Sequence, residues 1–294
     1  MALIIGSAII WDDAHIWLRV VLVGVLLGMT VYNIIVVSHL FTHVPWFTTV
    51  ALNSVVSVVN SVNIGQSVQA YELTHVRNHH RYNNDLPNED GETNDRSSTY
   101  GGGRDGNHVP LARYALCGAI VSASDLARAL GSTIRLWRLS ARDVHLVALA
   151  SRSTKKHRRE LAQVRWDRAA LSLTLLVLGV TSWQWLVTCY VPVYFCAAAL
   201  VNVQNYYRHF GANPHERWAD SVSHYGYWYN LFTFNDGYHQ EHHLRPRAHW
   251  SQMPAIRERY RQRLDTQRVI SPVPAIVGFL HRDRPQLHRS EQLS

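Results

Sequence analysis

An all-α integral membrane protein, with about three to four spans capped by a cytosolic helical domain holding a histidine-rich di-metal site, is the architecture this 294-residue sequence predicts. Three observations predict it. Residues 20–38, 44–71 and 169–207 contain no Asp, Glu, Lys or Arg, and apolar runs of such length reach across ~30 Å of hydrocarbon. All 29 Lys+Arg except Arg19 fall in two blocks, 77–168 and 208–289, outside those runs. Histidine is abundant, 18 in all, and half of the histidines cluster in four tight groups.

Composition excludes several classes. The 47% hydrophobic content rules out a disordered chain, and three cysteines without CxxC spacing cannot make a disulfide framework or a cysteine zinc site. The net charge of +8 is explained by loops that retain Lys and Arg on the cytoplasmic side, and no nucleic-acid motif accompanies it. A mean hydropathy of -0.14 averages greasy stretches with a larger share of Arg-rich, polar sequence.

Along the chain, residues 1–14 lack Lys and Arg, carry Asp12 and Asp13, and read as a short tail rather than a signal peptide. Residues 16–38 form a membrane helix that ends at the cytoplasmic face. Residues 44–63 are apolar but interrupted by Asn53, Ser54, Ser57, Asn60 and Ser61, which predicts a re-entrant or packed helix. Residues 72–168 are cytosolic: a turn-rich loop at 77–110, read as a lid or a mobile excursion, then amphipathic, Arg-rich helices. Residues 169–207 make a membrane hairpin broken near Tyr190, Val191 and Pro192, with Trp183 and Trp185 in an interfacial belt, and residues 208–294 return to the cytosol. The whole is one domain.

The histidine groups are His39 and His43 (HLFTH), His75, His79 and His80 (HVRNHH), His209 with Asn205 (NYYRH), and His239, His242 and His243 (HQEHH). Each contains an i, i+4 pair, which a helix places on one face a turn apart. An adjacent pair splays its rings by about 100°, so that one ring reaches a second ion. Nine imidazoles suit two ions rather than one. Imidazole alone does not name the metal, but a closed zinc site would favour cysteine, and HExxH is absent because His215-Glu216 is followed by Arg217, Trp218 and Ala219. Glu72, Asn78, Asp236 and Glu241 are candidates to hold the rings' second nitrogens. His15, His108, His145, His281 and His288 read as structural, and the aromatic run 224–234 as substrate lining or core packing.

At these residues the sequence resembles the membrane fatty acid desaturase and hydroxylase superfamily. His39/His43 are similar to its first histidine box, His75/His79/His80 to the second and His239/His242/His243 to the third. Asn205 and His209 resemble the Asn-xxx-His element of acyl-CoA desaturases. Leu40 stands where many relatives have Asp, and 38 residues before the first box are too few for a full two-helix hairpin at ~20 residues per span. The resemblance implies two non-haem Fe ions ligated by the nine histidines, a metal-bound water held by Asn205, and O2 as co-substrate. It implies an enzyme, most readily a desaturase forming a C=C bond in a fatty acyl or other lipid chain. A hydroxylase or ketolase acting on a lipid or isoprenoid is the alternative; a membrane metal transporter or haem carrier is more remote, because the boxes flank the apolar runs instead of lying within them. No electron-carrier motif occurs in the chain, so a ferredoxin, rubredoxin or cytochrome with its reductase is expected as donor, docked by the basic surface. Arginine outnumbers lysine 27 to 2, which points to a GC-rich bacterial genome and an inner cell membrane, with the site facing the cytoplasm.

Overall fold

The computed structural model describes residues 1–102, 107–134, 143–281 and 286–287; Gly103 of the glycine run, His288 and part of the amphipathic stretch lie outside them. The chain is mostly helical and divides into two compact units, Met1–Thr74 with Cys117–Ala199, and His75–Leu116 with Leu200–Ser294.

The first unit begins with a correction. Residues 2–10 are not a tail but a helix, α1 (Ala2–Ile10), with Ile4, Ser7 and Ala8 buried. At ~1.5 Å per residue its nine residues span ~13 Å, too little to cross a bilayer. Its apolar side chains instead join a core with Trp11, Leu26, Leu171, Leu175, Leu178 and Trp185. The Trp185 indole N–H donates to Ser7 Oγ at 3.0 Å, so this ring is a fully buried core residue and not part of an interfacial belt, whereas Trp183 is 66% exposed. A large ring buried with its N–H satisfied contributes through area and hydrogen bond together, whereas its neighbour two residues away points outward.

Helix α2 (Ile16–His43) starts on His15, whose ring accepts the Leu18 N–H, and passes through a π-helical turn at Asn33–Ser38 into the last turn, His39–His43. Val20, Val21, Val25 and Met29 are exposed along it, a lipid-suited face, while Leu26 and Val31 pack inward. Helix α3 (Val50–Ile64) takes up most of residues 44–63, and its 15 residues are ~22 Å long, short of a span. It ends on Gly65 at φ 70°, where a Cβ would sit 2.5 Å from the Tyr194 ring. Left-handed backbone and close approach both require glycine. Gly65→Ala is expected to cost at least ~2 kcal/mol, visible as a lowered unfolding midpoint; an unchanged midpoint would contradict this packing.

The serines of α3 have a partner that spacing does not reveal. After α4 (Val68–Thr74), α5 (Leu111–Ile134) and α6 (Val144–Leu149), helix α7 (Thr154–Thr181) carries the fully buried Asp167. Its carboxylate accepts from the hydroxyls of Ser57 and Ser67, the Gln69 N–H and the Gln163 amide at 2.8–3.1 Å. A buried carboxylate persists only with such donors. Next to it Arg168 pairs bidentately with buried Asp143 at 2.9 and 3.0 Å.

The break between α7 and α8 (Trp183–His209) falls at Ser182, not near Pro192. Ser182 accepts the Trp185 N–H and donates to Asp12 Oδ1, which turns the chain. Pro192 stays within α8 because the preceding turn, Leu186–Tyr190, is π-helical, and the widened turn accommodates a residue without an N–H. Among the described residues, α2 and α8 are the helices long and apolar enough to cross a membrane.

The second unit holds α9 (Tyr227–Phe232), α10 (His239–Leu244), α11 (Met253–Arg259) and α12 (Arg261–Gln267). It departs from a purely helical fold in one small sheet: β1 (Val222–Ser223) runs parallel to β2 (Val269–Ile270), which pairs antiparallel with β3 (Gln286–Leu287). The loop after the second histidine box is neither excursion nor lid. Asn84, Asp95 and Thr99 are fully buried in it. Asp85 accepts from the Asn94 and Asp95 N–H groups, Asn84 Oδ1 from the Thr99 N–H and hydroxyl, and Tyr114 donates to the Ser97 carbonyl. Short polar side chains here replace the backbone partners that a helix or strand would supply.

Candidate metal centre

Three segments of the second unit deliver its histidines. A π-helical turn, His75–His79, continues into His80; α8 ends in His209; α10 carries His239, His242 and His243. His79, His209, His239 and His243 are all buried, and one ring nitrogen from each lies within 4.8 Å of the others. His75, His80 and His242 form a separate convergence, with His80 Nε2 3.2 Å from His75 Nε2 and 3.0 Å from His242 Nε2. Both adjacent pairs thus divide, one ring to each group. The ring planes differ by 68° in His79/His80 and by 74° in His242/His243. In the first unit His39 and His43 share one face at the end of α2, ring centroids 5.0 Å apart.

The four ring nitrogens of the tetrad lie close enough together to hold a metal ion. His79 Nδ1 is held 2.7 Å from Asp95 Oδ2 and 3.1 Å from the Ser97 hydroxyl, and His209 Nδ1 3.1 Å from the Asp220 carbonyl. His243 Nδ1 lies 3.8 Å from Asp220 Oδ1. Fixing Nδ1 leaves Nε2 to face the centre. The Nε2 atoms of His79 and His209 and both ring nitrogens of His239 are buried without a hydrogen-bond partner among the described residues. Orphaned buried imidazole nitrogens are costly unless a cation fills the space between them. Burial, with Arg208 nearby, pushes His239 well below its ordinary value and keeps the ring neutral. Burial raises Asp95, but the His79 ring and the Ser97 N–H and hydroxyl outweigh it and hold the carboxyl below the usual carboxylate range. Burial pushes Asp220 up to about 7 against the donors Gln240 and Ser221.

The residues expected to hold the rings mostly hold something else. Asn78 bonds the Asn94 carbonyl and the Arg96 N–H, and so pins the loop. Asp236 takes Arg208 and the Tyr229 hydroxyl, Glu241 the hydroxyls of Ser223 and Tyr225, and Glu72 the Gln69 amide. Asp95 and Asp220 do the orienting instead; the density of Asn and Asp after His80 is the sequence trace of Asp95, and Asp220 has none. Asn205 lies one helical turn before His209, and its amide donates to Tyr114 Oη at 2.6 Å and the Ser97 carbonyl at 3.2 Å. His108 is structural, stacked on Tyr100 and accepting the Gly211 N–H. His15 and His249 each cap a helical turn.

Two helices of membrane length, joined to histidine clusters whose ring nitrogens converge closely enough to hold metal ions, are the features of a candidate membrane-bound metal centre. The model of the fatty acid desaturase family matches residues 16–271, and the chain belongs to that family, within the membrane desaturase/hydroxylase superfamily. It is therefore an oxidoreductase of the desaturase/hydroxylase type. A search of curated proteins and a search of solved structures each return no match.

Proposed function

We propose that this protein is an O2-dependent di-iron desaturase that forms a C=C bond in a fatty acyl or other lipid chain. The buried tetrad His79, His209, His239 and His243 carries the reading, because its nitrogens are preset for a metal and family membership supplies the chemistry. His75, His80 and His242 serve the second ion, and His39 and His43 are the further ligands that the resemblance to the family implies. The irons supply redox chemistry able to break an unactivated C–H bond. The protein's part is positional: Asp95, Ser97 and Asp220 hold ring tautomers, and Tyr114 with Ser97 holds the Asn205 amide on the His209 face. Desaturation removes two hydrogens from the chain and, with two added electrons and two protons, reduces O2 to two waters.

Those electrons come from a separate ferredoxin, rubredoxin or cytochrome with its reductase. The docking face is the arginine-rich surface of the second unit. Arg257 stacks 3.8 Å above Tyr225, Arg263 5.3 Å from Trp218 and Arg245 5.4 Å from Tyr260, an ordered set of cations suited to an acidic protein. Trp218 is two residues from Asp220, which touches His209 and lies beside His243. Arg257→Gln/Arg263→Gln is expected to raise the KM for an acidic donor several-fold, more at low salt, with kcat unchanged; an unchanged KM would contradict this docking. The inner membrane of a bacterial cell, with the site facing the cytoplasm, is the expected location.

The deciding experiment is product analysis with a reconstituted donor. A product two hydrogens lighter supports desaturation, and one heavier by an oxygen assigns a hydroxylase. Turnover with NADPH alone, without a donor protein, would refute the requirement for a partner.

A further inference from the structure

Helix α9 is amphipathic in the wrong sense for a helix in water. Its polar side chains face inward: Asn230, 7% exposed, donates to the carbonyls of His224 and Gly226 and accepts the Gly237 N–H, and the Tyr229 hydroxyl donates to Asp236. Its large apolar side chains face outward, with Tyr227 70%, Trp228 67%, Leu231 50% and Phe232 66% exposed. They occupy positions i, i+1, i+4 and i+5, so they form one face, and Phe234 extends it. For these four side chains the exposure replaces the core packing expected of the aromatic run, while Tyr229 and Asn230 keep it. The four Asn230 and Tyr229 hydrogen bonds fix the helix with that face outward.

We propose that this face is a membrane seat: α9 lies in the headgroup–acyl boundary of the bilayer, within a part of the chain whose sequence reads as cytosolic. Residues 224–235 contain no Asp, Glu, Lys or Arg, so the segment itself places no charge on the face. Tyr, Trp and Phe around a Leu are the composition that settles at the membrane–water boundary. A six-residue helix about 9 Å long can lie in that plane but not cross it. A contiguous exposed apolar face marks a binding site, and in an integral membrane protein the lipid surface is the partner at hand. The seat immediately precedes the third histidine box at His239 and needs only that the chain is a membrane protein, whatever its reaction.

The test uses the full-length protein in bilayers of phosphatidylcholine and phosphatidylglycerol. Cys117 and Cys196, both exposed, are replaced by serine, buried Cys189 is left, and a nitroxide is attached at Trp228→Cys or Phe232→Cys, with Gln262→Cys as the water-facing reference. Relaxation by dissolved O2 is expected to exceed relaxation by a water-soluble nickel chelate several-fold at 228 and 232, and the reverse at 262. Chelate access at 228 and 232 would overturn the seat, as would protection from both reagents, which would mean a protein cover such as a second copy. In the otherwise unlabelled protein, brominated lipid is expected to quench tryptophan emission, and the milder Trp228→Tyr to remove part of that quenching. Quenching unchanged by Trp228→Tyr would count against the proposal equally.

Discussion

His243→Ala is expected to abolish turnover and to lower bound metal to about one ion per chain or fewer. The residue is buried in the tetrad, and with it gone His79, His209 and His239 keep three convergent nitrogens around a hole that water enters. His249→Ala is the control, since that ring caps a helical turn with Ser251 and packs on Trp250, and it should keep both metal and activity. Metal binding also stabilises the fold by mass action, by ~4 kcal/mol when free metal stands at about a thousand times its Kd. Chelation of the wild type should therefore lower the unfolding midpoint, and His243→Ala should lose most of that response. Elemental analysis and a thermal scan, with and without chelator, read both effects. A His243→Ala protein that kept full metal and a chelator-sensitive midpoint would remove His243 from the site.

Asp95→Asn should be the most damaging change among residues that touch no metal. Asp95 accepts from the His79 ring, the Asn84 N–H, and the Ser97 N–H and hydroxyl. An amide keeps one oxygen and turns the other acceptor into a donor, so a buried donor loses its partner at ~1–3 kcal/mol. The His79 tautomer that presents Nε2 is no longer enforced. Metal affinity is expected to fall ~10–100-fold, and catalysis with it. The distinguishing readout is metal affinity measured by competition with a chelator of known strength. Should Asp95→Asn lower the unfolding midpoint and leave that affinity intact, Asp95 would be a loop residue and not a positioning residue for His79.

The parts legible in the sequence were those with local periodicity. Pairs spaced i, i+4 share a face wherever the chain is helical, and the division of adjacent histidines between two groups follows from the angular step of a helix, as His79/His80 and His242/His243 show. The π-helical turn at His75–His79 was not legible, yet it leaves those two rings stacked at 5.3 Å. What escaped depends on chain return. Asp95 reaches His79 because a loop folds back over 16 positions, and Asp167 draws on Ser57 and Ser67 roughly a hundred positions away. Trp183 and Trp185 look alike in sequence, and only the packing of α1 against the α7–α8 turn buries one of them. The hairpin break was placed by proline because proline is the strongest local signal. The π-helical turn ahead of Pro192 absorbed that signal, and Ser182 and Asp12 made the turn instead.

That the histidines hold two irons is tested by elemental analysis of the detergent-purified protein together with Mössbauer spectroscopy of an iron-57 sample. About two irons per chain are expected, in nitrogen-rich, non-haem, high-spin environments and without cysteine ligation. Zinc in their place, or full turnover in a metal-free protein, would contradict this expectation.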